Sequence, residues 1–559
     1  MNERSEDPEA IPQGGVSWVY ASTVSGTAAG AIFYLYLARA LPLGELGAVV
    51  VLQAFAFIVA TASSFGLNRG FQHFLSYHRA RTEGRNLTRP LVGMSYVTTA
   101  LSGATAAAIA FGLAGLLTSF LFHSTAYLST VELLSALAGL LSAMMIFAGV
   151  LLGLQRYIAY SAVIILGTAS LYGAPVVLFL LWHTLQSIVL GWIVGGIAQT
   201  VASIVMIERL TRSSGALRSR TSEAPGVTYQ GLFAYSLPIV VSVLITTCTY
   251  YIDRLILASV ANLPTVGIYN YAILFAGASL FVVNPFQTIL ISRFSALFGR
   301  GDSKGIVELV RGSSTLLVLA FVPLALGLAA LGPILLRYIV GPNFVPAALP
   351  MAVLLGISAA FVPFAILVSI AIGTRRTSAT MVSSSCALIA NVVLSVVLVP
   401  RLGMLGAAIG NSSMFWAPFV VLYLLFRGSG LVRFDTRPIL GIWTASIAMA
   451  VTIALPLSLL NYSLLLAPVF VTAGVLVFLG LARKLRAVPW EAAEAVAHHL
   501  PSWLSPLRPL VFWVAAPSRP PPPHSDGRAP GFGLAGSNPL PAGAVENKTA
   551  TPPANQGSP

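Results

Sequence analysis

Apolar runs of about 20 residues recur along this chain, and no other feature restricts its fold as much. In hydrocarbon every backbone N–H and C=O must be bonded within the protein, so a spanning chain folds as helices or as a closed barrel. Barrel strands would alternate over about ten residues. The runs here are apolar throughout, so the fold class is an all-α polytopic membrane protein. They lie near 15–41, 46–68, 91–122, 132–153, 157–182, 185–207, 231–258, 264–291, 313–340, 346–373, 379–399, 403–426, 438–458 and 463–482, which is about 14 transmembrane helices. The first run is followed at once by others, so it is not a cleaved signal peptide. Only 9% of the 559 residues are charged, against about 25% in a soluble domain. A soluble fold of this size is therefore excluded.

Lys and Arg test the count, because one set of loops in a polytopic protein should be basic and the other nearly bare. Loops after even-numbered spans carry them, from Arg69, Arg79, Arg81, Arg85 and Arg89 after the second to Arg483, Lys484 and Arg486 after the fourteenth. The opposite loops hold only Arg39, Arg337 and Arg401. A miscounted span would scramble this alternation. The pattern predicts a multi-pass protein of the cytoplasmic membrane with both termini cytoplasmic. The net charge of +14 is then mainly a topology signal, with some attraction to anionic membrane lipid, and not a nucleic-acid surface. Cys248 and Cys386 stand in separate apolar runs and read as buried thiols. The histidines form no ligand-spaced cluster, and neither a metal nor a cofactor is expected.

The joint "LPLGELGAVVV" between spans 1 and 2 is echoed by "NLPTVGIYNYA" between spans 7 and 8. Each places Pro, a short spacer and an apolar-Gly pair (Leu46-Gly47, Val266-Gly267) between two long spans. The echo predicts two parallel six-helix repeats with the pathway between them. The expected organisation is a cytoplasmic tail (1–14), a first lobe (15–209), a cytoplasmic linker (210–230), a second lobe (231–426) and two appended helices (438–482). Residues 487–515, with Trp490, Trp503 and Trp513 between prolines, read as an interfacial segment. Residues 516–559 are rich in Pro, Gly, Ala and Ser and are expected to be disordered.

The residues around this echo also carry a family likeness. "DRLILASVANLPTVGIYNYA" (253–272), the exit with Ser292, Ser295, Gly301 and Asp302, "GPNFVPAALPMAVLLG" (341–356) and "ANVVLSVVLVPRLGMLGAAIGNSS" (390–413) follow in order. Together they resemble the polysaccharide-transport branch of the multidrug/oligosaccharidyl-lipid/polysaccharide flippase superfamily, over about residues 15–482. The chain departs from relatives at Leu290-Ile291-Ser292, where an aromatic residue or Pro often precedes the Ser. The resemblance implies two bundles around a central cavity lined by helices 1, 2, 7 and 8. It also implies translocation of a lipid-linked oligosaccharide, on a polyprenyl phosphate or diphosphate carrier, for cell-surface glycan synthesis.

Two polar stripes are candidates for the pathway. In span 7, Ser242, Thr246, Thr249, Tyr250 and Asp253 recur on one helical face; in span 8, Asn270, Gly277, Asn284 and Gln287 do so. Such stripes face protein or water, not lipid, and interhelical hydrogen bonding is the plainer alternative to cavity lining. Pro285 is expected to bend span 8. Asp253, the only Asp within a span, is the ion-coupling candidate for H+ or Na+. Counted from mid-span it lies about 12 Å outward, near the edge of a half-bilayer of about 15 Å. Arg254 can then snorkel to water, and the pair also reads as a structural one. Arg39 and Arg254 at outer helix ends, with Arg69 and Arg293 at inner ends, are candidates to meet a phosphate; for the inner two, simple anchoring is the plainer reading. Ser22, Gly26 and Gly30 form a small-residue stripe suited to close packing.

Three alternatives compete with an oligosaccharide flippase. A lipid II flippase or a drug/cation antiporter belongs to the same superfamily, though an antiporter would keep acids deep in a lobe. A membrane glycosyltransferase would need clustered acids in an outer loop, and the outer loops offer only Glu45 and Glu132, far apart. No catalytic residues are expected. A monomer is expected, working beside polysaccharide-assembly proteins.

Overall fold

The computed structural model describes residues 13–80, 88–213, 228–280, 283–361, 364–460, 463–499, 506 and 508–515. Among the described residues there is no β-strand. The chain divides into two units, Met1–Ala487 and Val488–Pro559. The first opens with α1 (Gln13–Ala40), α2 (Leu43–Ser63), α3 (Leu67–Ala80), α4 (Thr88–Gly112) and the short α5 (Ala114–Leu117). α6 (Leu128–Gly153), α7 (Tyr157–Trp182) and α8 (Leu185–Ser213) complete a first bundle. The second bundle holds α9 (Tyr229–Val260), α10 (Leu263–Ser279), α11 (Val283–Gly299), α12 (Ser303–Leu335) and α13 (Ala348–Ala360). It continues with α14 (Phe364–Gly373), α15 (Thr377–Leu402), α16 (Met404–Asn411) and α17 (Ser413–Phe426). α18 (Thr436–Leu459) and α19 (Ala467–Lys484) pack on each other, and α18 also lies on α12.

Thirteen helices among the described residues are long and apolar enough to cross a membrane. The fourteenth place is filled by α10 and α11, because the eighth span is not one helix. It stops at Ser279 and restarts at Val283. Pro285 falls in the first turn of α11, where a missing backbone N–H is tolerated. The expected tenth span is likewise divided, into α13 and α14. The expected third span, drawn to 122, ends as a regular helix at Gly112.

α3 lies where the sequence had promised only a basic loop. It is amphipathic, and its apolar residues Leu67, Phe71 and Leu75 recur every four positions and are buried against α6 and its surroundings. The small stripe on α1 packs closely, as expected: a Cβ on Gly26 would meet Thr168 at 3.2 Å, and one on Gly30 the Tyr172 hydroxyl at 3.1 Å, both on α7.

Between the bundles α2 is the central element, touching α4 and α6 on one side and α9 and α10 on the other. The two echoed joints meet each other here. A Cβ on Gly47 would lie 1.8 Å from the Leu263 carbonyl oxygen, and one on Gly267 would lie 2.9 Å from that of Leu43. This contact is at the bare end, away from the Arg-rich loops. At the basic end, Gly66 turns the chain at φ +68° and lies against Ser236 of α9. His73 of α3 stacks on Tyr235 of α9 with ring centroids 4.5 Å apart. The bundles thus touch at both ends.

The second unit contains α20 (Trp490–His499) and α21 (Arg508–Val514), with Trp490 packed on Phe512. Trp503 and the Pro-rich tail 516–559 lie outside the described residues.

Candidate functional site

Asp253 and Arg254 stand near the bare end of α9, a helix begun by Thr228, whose Oγ1 accepts from the Gly231 N–H. Asp253 is fully buried and Arg254 is 9% exposed. The hairpin to α10 is fixed by Asn262, whose side chain accepts from the Thr265 N–H at 2.9 Å. It brings Tyr269 over the carboxylate, where the Tyr269 hydroxyl donates to Asp253 Oδ2 at 2.7 Å. Asn411 of α16 lies beside the same carboxylate. Asp253 Oδ1 and Arg254 Nε are buried and have no hydrogen-bond partner among the described residues.

The expected snorkelling does not occur. Arg254 lies over the ring of Tyr251 at 5.0 Å, and the neighbouring acid and base form no ion pair. Successive helical residues point about 100° apart, so the two side chains diverge. Arg254 enters an aromatic seam between the bundles. Tyr251 stacks on Phe57 of α2 at 5.8 Å. Tyr34 of α1 is within electrostatic reach of Arg254; its hydroxyl is bonded to Gln53, and its carbonyl accepts from the Tyr271 hydroxyl.

The rest of the seventh-span stripe faces a cavity of about 240 Å³. Thr246, Thr249 and Tyr250 of α9 line it, opposite Gln287 of α11 and Ser383 and Ser384 of α15. It lies inside the second bundle, not along the seam of helices 1, 2, 7 and 8 that the resemblance implied. Ser242 is one turn away, its carbonyl accepting from Thr246 Oγ1 at 3.0 Å. Asn391 of α15 ties the wall together: its Nδ2 donates to the Thr249 carbonyl at 2.9 Å, and Ser395 donates to its Oδ1. The serines of α15 were missed in the sequence, though "VSSSC" inside an apolar run was a legible signal.

The eighth-span stripe is not brought together at one cavity. Gln287 reaches the cavity, while Asn270 is buried on α10 and does not line it. The Asn284 side chain lies outside the described residues. Nor do the four arginines converge. Arg39 Nη2 donates to the Ile339 carbonyl at 2.9 Å, tying α1 to the segment after α12 at the bare end. Arg69 lines an open cavity of about 590 Å³ at the basic end, with His73 and Tyr77 of α3 and Tyr235 of α9. Arg293 stands half-buried on α11 and lines neither cavity.

The sequence profile of the family described as lipid II flippase MurJ matches residues 72–482. Among solved structures, the chain is similar to lipid II flippase MurJ in an inward closed conformation. That likeness has 13% identity and a TM-score of 0.60, over 83% of this chain and 98% of that one. An inward-facing multidrug resistance transporter of the MATE family of the MOP superfamily matches at 14% identity and TM-score 0.59, over 73% of this chain and 95% of that one. A MOP superfamily transporter from Pyrococcus furiosus matches at 13% identity and TM-score 0.55, over 77% and 99%. No curated protein matches the chain by sequence.

Proposed function

The chain belongs to the lipid II flippase MurJ family of the multidrug/oligosaccharidyl-lipid/polysaccharide superfamily, and from that membership we propose that its cargo is a saccharide joined through phosphate or diphosphate to a polyprenyl chain. The family match carries this reading, because it runs from α3 of the first bundle through the second bundle and into the two helices after it. The likeness to the polysaccharide-transport branch holds at the level of the superfamily; the family matched is MurJ. As a flippase the protein moves its cargo without changing covalent bonds.

In this reading the head group crosses from the cytoplasmic to the outer leaflet as the two bundles alternate access about the α2–α9–α10 seam. Arg69, beside an open cavity at the basic end, meets the phosphate first. Arg254 is the buried cation nearest the bundle seam, and Arg39 holds the bare end shut. Ser242, Thr246, Tyr250, Asn270, Asn284, Gln287 and Arg293 remain pathway candidates of lower rank, since only some share a cavity. Asp253, with one oxygen unpartnered, takes the coupling H+ or Na+. The protein acts as a monomer in the cell membrane, with both termini cytoplasmic, beside polysaccharide-assembly proteins.

A second reading makes lipid II itself the cargo, and the description of the matched family favours it. The two differ in the head group. Reconstitution in vesicles with labelled polyprenyl-diphosphate saccharides separates them: one set carries a peptide-bearing muramyl head group and the other a neutral oligosaccharide. Protein-dependent flipping of one set names the cargo. No flipping of either, under an imposed H+ or Na+ gradient in either direction, overturns the proposal.

A further inference from the structure

We propose that a groove between α4 and α8, at the basic end of the first bundle, binds the head group of an anionic phospholipid. The groove is a cavity of about 380 Å³. Arg89, Gly93 and Tyr96 line it from α4, and Glu208 and Arg212 from α8. Its floor is α6: Tyr96 packs edge-on against Phe147, and Val92, Phe147 and Ile207 share one buried cluster.

The charge in the groove does not cancel. The Tyr96 hydroxyl donates to Glu208 Oε1 at 2.9 Å, and Arg212 Nε pairs with Oε2 at 3.5 Å. Glu208 therefore has a partner on each oxygen. Arg212 keeps its terminal nitrogens, and Arg89 is exposed with no hydrogen bond or ion pair among the described residues. Two guanidinium groups on two helices thus face one satisfied carboxylate, and guanidinium forks suit phosphate oxygens. The space beside Gly93 is open, since a Cβ there would meet nothing within 4 Å.

The same helix faces continue as an apolar strip. Gly93, Val97 and Leu101 recur every four residues on α4, and Val97 and Leu101 are 50% and 63% exposed. On α8, Arg212, Glu208, Val205 and Val201 share a face, and the two valines are 43% and 52% exposed. A cationic groove that passes into paired apolar ridges along the membrane normal matches a phospholipid, with its phosphate above and its acyl chains below. A free phosphate would use the groove alone.

The test uses the full chain in detergent, with binding followed by native mass spectrometry and by thermal unfolding. Phosphatidylglycerol is expected to bind and raise the unfolding temperature, and phosphatidylcholine to do neither. Arg89→Ala breaks no hydrogen bond or ion pair among the described residues and is expected to weaken phosphatidylglycerol about fivefold, the effect of one basic residue at an anionic surface. Arg209→Ala removes the same charge at a neighbouring position outside the groove and is expected to leave binding unchanged. Leu101→Ser with Val201→Ser is expected to weaken the lipid with both arginines intact. Equal losses in Arg89→Ala and Arg209→Ala would reduce the effect to general surface charge and overturn the site. Stabilisation by inorganic phosphate equal to that by the lipid would overturn the lipid as occupant. The readout is phospholipid binding, so failure here leaves the cargo reading untouched.

Discussion

Asp253 and Arg254 were legible as charges in a span, but what they touch was not. The helical count placed them near the outer end of α9. That neighbouring side chains diverge also follows from helix geometry. Tyr251, three residues before Arg254 on the same helix, was within reach of that geometry, whereas Tyr269 depends on how the α9–α10 hairpin closes, and one sequence does not give that. At this scale the sharpest prediction concerns Asp253→Asn. The amide has nearly the shape of the carboxylate and keeps an oxygen for the Tyr269 hydroxyl, so the hairpin contact survives while the charge is lost. Transport is expected to fall several-fold more than the amount of protein in the membrane, with flipping in vesicles and a membrane immunoblot as the two readouts. Undiminished flipping would return the residue to a purely structural part.

Whole elements were easier to read than single contacts, because a run of about 20 apolar residues has few outcomes in a membrane. Two elements escaped. α3 was hidden because its basic residues dominate the window, although Leu67, Phe71 and Leu75 already marked one apolar face. The division of span 8 was half-seen: Pro285 was read as a bend, and the span is divided into α10, ending at Ser279, and α11, beginning at Val283. The joint that the sequence did pick out, Gly47 with Gly267, is the packing contact of α2 on α10. Gly47→Val would drive a side chain into the Leu263 backbone, which has no flexible end to move aside. Overpacking of this kind costs about 1–3 kcal/mol, so a lower unfolding temperature and a poor yield of monodisperse protein are expected. Gly44→Ala on the same helix, with nothing within 4 Å of its Cβ, is expected to behave as wild type. Equal stability of the two variants would mean that the bundles do not meet at this joint.

At the scale of the two bundles, contacts hold them together at both ends of α2. The basic end has Gly66 on Ser236 and the His73–Tyr235 stack, and the bare end has the Gly47–Leu263 approach and the bond from Arg39 to Ile339. A polar stripe tells which side of a helix avoids lipid, not which neighbour covers it, so the sequence did not assign the cavity to the second bundle. Alternating access requires each end to part in turn. Arg39 and Ile339 are 300 positions apart and joined by one exposed hydrogen bond, worth about 1.5–3 kcal/mol at most. That is weak enough to break in each cycle. Replacing both by Cys, after Cys248 and Cys386 are changed to Ala, gives a pair that a short bifunctional thiol reagent can span. With a bis-methanethiosulfonate, which joins the two thiols through disulfides, bridging is expected to stop flipping and a reductant to restore it, while each single-Cys variant treated alike keeps its activity. Full flipping with the bridge intact would show that the bare end need not open, and the cargo would then have to leave by another route.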